Sequence, residues 1–257
     1  MVQLRGSYPF ENFLQAGSIP SVWCPGCGIG TVINTFIHAA ERSNVSSNDI
    51  CVVSGIGCTG KVAYCVKFNS FQTIYRSCIR CASHIKLKNP NWRVVVFLSD
   101  ADFMISGADD FVGIVKKGID ILVIYINNYI YYLYIKGKNL TKTPFMGVTV
   151  DKSIESPFNI PHLAESCGFR YIARWTPLHV RRLSYSMTDS LQKPGPSLIE
   201  VISPCLMYYS SEGLVGTSLN RMDYFYDNSI IKKGERTENL DLRFKDKIIV
   251  GEFKDGT

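Results

Sequence analysis

Trp92-Arg-Val-Val-Val-Phe-Leu98 runs into Ser99-Asp100, and Ile119-Asp-Ile-Leu-Val-Ile-Tyr-Ile126 runs into Asn127-Asn128. Both stretches are apolar almost end to end instead of alternating, the pattern of strands covered on both faces. Between them residues 111–117 carry helical spacing. Moving outward, Ile50-Cys-Val-Val-Ser54 and Ser197-Leu-Ile-Glu-Val-Ile202 read as two more buried strands. Ile29, Val32, Ile33, Phe36, Ile37 and Ala40 recur at helical spacing after Cys27, and residues 77–88 and 180–191 also read as helices. Strands alternating with helices predict an α/β fold, a mostly parallel sheet with helices on both faces. Residues 1–205 are expected to form this domain. Residues 206–257, more polar and irregular, read as a C-terminal extension that packs on the domain or on a partner.

The chain has 257 residues, 46% of them hydrophobic, with a net charge of +6. That suits a folded domain with a sizeable core. Lys and Arg are scattered, without the basic stripe of a nucleic-acid binder. The longest apolar run, residues 121–126, has strand length and falls far short of a membrane span. The first residues lack the apolar core of a signal peptide, so a cytoplasmic location is expected. There the nine cysteines stay reduced, which favours metal or cluster ligation over disulfides for any cysteine with a role.

Parallel α/β sheets bind ligands at the carboxyl ends of their strands. Ser54-Gly-Ile-Gly-Cys58, Asp100, Asn128 and Cys205 all fall at such ends. Cys24-Pro-Gly-Cys27 makes a tight turn that aims two sulfurs at one point: half a zinc site, half a cluster site or a redox pair. With Cys58 and Cys205 it supplies the four thiolates of a [4Fe–4S] cluster. Cys78 and Cys81 form a competing pair that would complete a four-thiolate zinc site, but they sit in a helical stretch and read as core. Cys51, Cys65 and Cys167 lie in apolar surroundings and read as structural. Gly55-Ile-Gly-Cys-Thr-Gly60 lacks the acidic residue of a dinucleotide fingerprint; its glycines predict close backbone approach, with a diphosphate as the expected neighbour. Asp100 and Asn128, with the carbonyl of Ile130, offer hard oxygen ligands for Mg2+. The competing reading is that Asp100 and Asn128 cap helices or turns.

Trp23-Cys-Pro-Gly-Cys-Gly28, Ser54-Gly-Ile-Gly-Cys58, the strand ending in Asp100, Asn127-Asn128-x-Ile-Tyr131, Lys136-Gly137, Thr143-Pro144 and Ser203-Pro-Cys205 occur in that order. Across nearly the whole chain they resemble the β subunit of 2-oxoacid:ferredoxin oxidoreductases. The resemblance implies a thiamine-diphosphate-binding fold, with the cofactor at Gly55, Ile56, Gly57, Asp100, Ala101, Asp102, Asn128 and Ile130. It implies Mg2+ on Asp100, Asn128 and the Ile130 carbonyl, and a [4Fe–4S] cluster on Cys24, Cys27, Cys58 and Cys205. Lys61 and Lys136 match positions that meet substrate carboxylates. The implied activity is coenzyme A-dependent oxidative decarboxylation of a 2-oxoacid, 2-oxoglutarate or pyruvate. Electrons would pass through the cluster to ferredoxin, and an α subunit would supply the glutamate that activates the thiamine. The family's Gly-Asp-Gly-Asp is Ser99-Asp-Ala-Asp102 here, its His-Gly-Arg is Tyr75-Arg-Ser77, and its Gly-Gly-Asn-His is Gly107-Ala-Asp-Asp110. These departures surround the cofactor and spare the cysteines, so a diverged, weakly active or structural/electron-relay subunit of such a complex is the alternative expectation.

Overall fold

A computed structural model describes residues 10–18, 21–73, 78–130, 158–205, 207, 218–242 and 247–256. Among the described residues eight strands form one sheet in the order β2-β1-β3-β4-β6-β5-β8-β7. They are β1 Ile50–Ser54, β2 Asn69–Gln72, β3 Arg93–Ser99, β4 Ile121–Asn127, β5 Tyr171–Trp175, β6 Ser197–Ile202, β7 Ser229–Ile231 and β8 Ile248–Asp255. Strands β2 through β5 in that order are parallel; β8 pairs antiparallel with β5. The four strands read from the sequence are thus four neighbours, β1, β3, β4 and β6.

Their apolar runs follow from burial on two faces. Val95, Phe97, Leu122, Ile124, Ile126, Ile199 and Val201 pack with α1 (Gly28–Arg42) and α7 (Val180–Gln192) on one side. Val94, Val96, Leu98, Ile121, Val123, Tyr125 and Leu198 pack on the other with α4 (Cys78–Lys88), α5 (Asp100–Lys116) and α6 (Ile160–Cys167). Helix α5 starts at Asp100, well before the stretch expected from residue 111 on. Ser99 is its N-cap: the Ser99 hydroxyl accepts from the Asp102 amide at 3.3 Å, and the Asp102 carboxylate accepts from the Ser99 amide at 2.9 Å. That reciprocal capping box starts the helix, which runs on through Gly107-Ala-Asp-Asp110 to Lys116.

The C-terminal residues enter the same sheet. Helix α8 (Ser218–Asn228) brings Phe225 into the core, and Ile248 and Val250 of β8 join the same cluster. A 3-10 turn, Thr237–Leu240, lies against α6: Asn159 Nδ2 donates to the Thr237 carbonyl at 2.8 Å. Among the described residues no helix is long and apolar enough to cross a membrane.

Candidate functional site

The chain after β1 turns away to β2 at the sheet edge, whereas the chain after β3 goes the other way, to β4. Between the ends of β1 and β3 the connections therefore diverge and open a crevice, the place where such sheets take ligands. The Gly55–Gly60 turn and the Ser99–Asp102 turn face each other there. The Asp102 carboxylate spans the gap: it accepts from the Ile56 amide at 2.9 Å and from the Thr59 hydroxyl at 3.3 Å. Two of the close approaches that the glycines signalled are internal. A Cβ on Gly55 would lie 2.3 Å from the Asp102 carboxylate, and one on Gly60 would lie 2.6 Å from the Gly55 carbonyl oxygen. Gly57 has φ +68, in the left-handed region that favours glycine. This turn leads into α2 (Gly57–Gly60), which carries Cys58, and α3 (Val62–Cys65).

Asp100 and Asn128 lie at the ends of adjacent strands, one and two residues beyond the paired Ser99 and Ile126. Because Ser99 is the cap of α5, Asp100 is not; its fully buried carboxylate accepts from the Ala101 amide at 2.9 Å. Asn128 Oδ1 accepts from the Ile130 amide at 3.2 Å, closing a turn in which Tyr129 takes φ +58. The two oxygen-bearing side chains and the Ile130 backbone thus share one end of the sheet. Carboxylate, amide and carbonyl oxygens are the hard donors that Mg2+ takes.

The cysteines gather at the same end. Trp23 Nε1 donates to the Cys58 carbonyl at 2.8 Å, tying the Cys24–Cys27 turn to α2. A Cβ on Gly28 would lie 2.1 Å from Ser203 Oγ, so the start of α1 presses on the segment after β6. That segment runs beside the end of β4, with the Ser203 amide on the Asn127 carbonyl at 2.9 Å and the Cys205 amide on the Asn128 carbonyl at 3.3 Å. Partial burial raises the Cys58 thiol above its ordinary pKa; the Lys61 ammonium opposes this, and the nearby Cys205 and Cys24 thiols reinforce it. Lys61 also donates to the Val22 carbonyl at 3.3 Å. No disulfide joins any of the nine cysteines. Among the described residues no three His, Cys, Asp or Glu side chains stand close enough together to hold a metal ion. Cys24 and Cys205 lie near enough to Cys58 for their charges to interact, and Cys27 shares the turn with Cys24, its amide donating to the Cys24 carbonyl at 2.9 Å.

The competing zinc site is ruled out by placement. Cys27 packs against the α1 face of the sheet, and Cys78 and Cys81 pack against the opposite face. Cys51 and Cys65 are buried and Cys167 partly so, as expected of structural thiols. Lys136 lies outside the described residues, as do residues 75–77 and 131–157. One feature escaped the sequence reading: the buried ion pair of Arg174 and Glu200, joined at 2.6 Å across β5 and β6. A charged residue inside an apolar strand was its only signal.

Residues 55–201 match the family described as thiamine pyrophosphate enzyme, C-terminal TPP binding domain. The chain is 33% identical over 252 residues to 2-oxoglutarate synthase subunit KorB of Methanothermobacter marburgensis, spanning 96% of this chain and 87% of that protein. It is 33% identical over 259 residues to the protein of the same name from Methanocaldococcus jannaschii, spanning 96% and 92%. A solved 2-oxoglutarate:ferredoxin oxidoreductase from Magnetococcus marinus, with 2-oxoglutarate, coenzyme A and succinyl-CoA bound, shares the fold. Its TM-score is 0.74 at 20% identity, over 96% of this chain and 84% of that one.

Proposed function

The chain belongs to the thiamine-diphosphate-binding β subunits of the 2-oxoacid:ferredoxin oxidoreductases, and from that premise we propose that, with an α subunit, it oxidatively decarboxylates a 2-oxoacid to its acyl-CoA and passes the electrons to ferredoxin. Of the substrates in this class, 2-oxoglutarate is favoured by the names of the relatives and by the two lysines, Lys61 and Lys136, that match carboxylate-contacting positions. The observation that carries the reading is topological. The turn bearing Cys58, the Asp100 turn, the Asn128 turn and the Cys205 segment leave four adjacent parallel strands at one edge.

Asp100, Asn128 and the Ile130 carbonyl would hold Mg2+ and with it the diphosphate. Thiamine diphosphate supplies the nucleophilic carbon and the electron sink for loss of CO2. Around it the chain's own groups position and enclose. The Asp102 carboxylate keeps the Gly55–Gly60 turn against the start of α5. Ala101 stands half-buried where the family has glycine. Lys61 would orient a substrate carboxylate by charge-assisted hydrogen bonding. Cys24, Cys27, Cys58 and Cys205 would hold a [4Fe–4S] cluster, the exposed Cys24–Cys27 turn closing onto the other two thiols. The hydrogen bond from the Cys205 amide to the Asn128 carbonyl sets a residue that would hold the cluster beside one that would hold the cofactor's metal.

The test is co-expression with the α subunit, followed by iron, sulfide and zinc analysis, a thiamine diphosphate titration and an assay of ferredoxin reduction by 2-oxoglutarate plus coenzyme A. About four irons per β chain, saturable thiamine diphosphate binding and 2-oxoacid-dependent reduction are expected. Substitution of any one of the four ligand cysteines by Ala bleaches the broad visible absorption, and Cys78→Ala does not. Zinc in place of iron and sulfide refutes the cluster, and bleaching by Cys78→Ala but not by Cys205→Ala refutes the ligand set. Iron without thiamine diphosphate binding identifies an electron-relay subunit instead.

A further inference from the structure

Arg174, Glu200 and Asn127 form a polar row across β5, β6 and β4, with solvent exposures of 0%, 0% and 1%. Their strand neighbours Ala173, Trp175, Ile199, Val201, Ile124 and Ile126 face the α1 side, so all three point to the other face. Arg174 and Glu200 are direct partners in the sheet register, and Arg174 Nε donates to Glu200 Oε2 at 2.6 Å. Glu200 Oε1 accepts from Asn127 Nδ2 at 2.8 Å. At the far end Arg174 Nη1 donates to the Leu240 carbonyl at 2.7 Å, so the row also reaches the C-terminal 3-10 turn. Both Glu200 oxygens are therefore spent on named donors, one charged and one neutral.

Two features distinguish this row from an ordinary buried ion pair. It ends on the residue immediately before Asn128, and Asn127 and Asp100 directly follow the paired Ile126 and Ser99 of adjacent strands. Moreover, Asn127 Oδ1 is buried and makes no hydrogen bond within the described residues. The Asn127 amide is thus oriented from one side only, by Glu200. A ligand turn needs its supporting shell fixed, and loss of such support typically weakens metal binding by about 10- to 100-fold.

We propose that Glu200, its charge balanced by Arg174, is a positioning residue for the metal-and-diphosphate end of β4: by holding the Asn127 amide it fixes the turn that presents Asn128. This rests on the functional reading above, in which Asn128 is a Mg2+ ligand.

Two double variants test it in the assembled complex. Arg174→Met with Glu200→Gln removes both charges but keeps an oxygen for Asn127 Nδ2. Arg174→Met with Glu200→Met removes both charges and the oxygen. Mg2+ dependence of thiamine diphosphate binding is titrated beside the Tm of the ligand-free complex. The Gln variant is expected to bind within about twofold of wild type, and the Met variant about 10-fold or more weaker at a comparable Tm. Asn127→Ala, which leaves the Arg174–Glu200 pair intact, is expected to show the same 10-fold loss and carries the test if a double variant fails to assemble. Wild-type affinity in the Met variant or in Asn127→Ala overturns the inference, as does equal loss in both double variants. A wild-type complex that binds no thiamine diphosphate refutes the functional reading itself and takes this inference with it.

Discussion

Asp102 accepts hydrogen bonds from the Ile56 amide, the Thr59 hydroxyl, the Ser99 amide and the Ser99 hydroxyl, so one carboxylate holds both turns of the crevice. The family resemblance implies Asp102 as a cofactor contact; nothing in the sequence marked that it also ties the two turns together. The glycines were legible as sites of close approach, but not what approaches. At Gly55 it is Asp102 itself, brought there by a contact 46 residues apart in the chain. Asp102→Ala should cost roughly 2–3 kcal/mol, the scale of charge-assisted hydrogen bonds. For a chain of this size that lowers Tm by about 5–10 °C. Gly55→Ala should fall in the same direction, because its Cβ would meet the carboxylate. Thermal melts of the two variants check this, and an unchanged Tm in Asp102→Ala would show that the turns are held by something else.

Among the elements, β3 and β4 were readable because burial on both faces leaves an unbroken apolar run, and α1 because its stripe has one buried side. Strand β5 was not read: Tyr171-Ile-Ala-Arg-Trp175 has a charge at its fourth position, tolerated only because Glu200 sits opposite. Strand β2, Asn-Ser-Phe-Gln, is a polar edge strand with no apolar run to find. The β5–α7 connection shows another effect invisible in sequence. His179 precedes α7, its Nδ1 lies 2.9 Å from Thr176 Oγ1, and neighbouring Pro177 packs against Gly28 beside Cys27. Burial first, and then the Arg182 charge, push the His179 pKa below its ordinary 6.5. The unfolded chain therefore takes up a proton near pH 6.5 that the folded chain resists. Stability is fully present above that pH, declines as pH falls below it and levels off below the folded pKa. Tm measured from pH 7.5 to 5 should fall more steeply for wild type than for His179→Gln; parallel curves would remove His179 as the cause.

At the scale of the molecule, the order of β1, β3, β4 and β6 as neighbours came only with the structure, while the parallel sheet and those four strands were legible from unbroken apolar runs alternating with helices. The place of the C-terminal residues was not, since β8 earns its position by pairing with a strand more than 70 residues earlier. That pairing has a thermodynamic consequence. Ile248 and Val250 are buried in the same cluster as Val95, Phe97 and Ile124, and Arg174 reaches from the sheet to Leu240. An extension merely resting on the domain would melt first and leave residues 1–205 folded. A strand that completes the sheet instead unfolds with it, in one transition. Ile248→Ala should then cost about 2–4 kcal/mol through the lost contacts and the cavity left behind. The loss should register equally in the amide protection of β8 and of β4, because both report the same global opening. Hydrogen exchange on wild type and Ile248→Ala measures both strands at once. If protection falls at β8 while β4 keeps its wild-type value, the C-terminal residues are a separate unit and the single-sheet account of their stability is wrong.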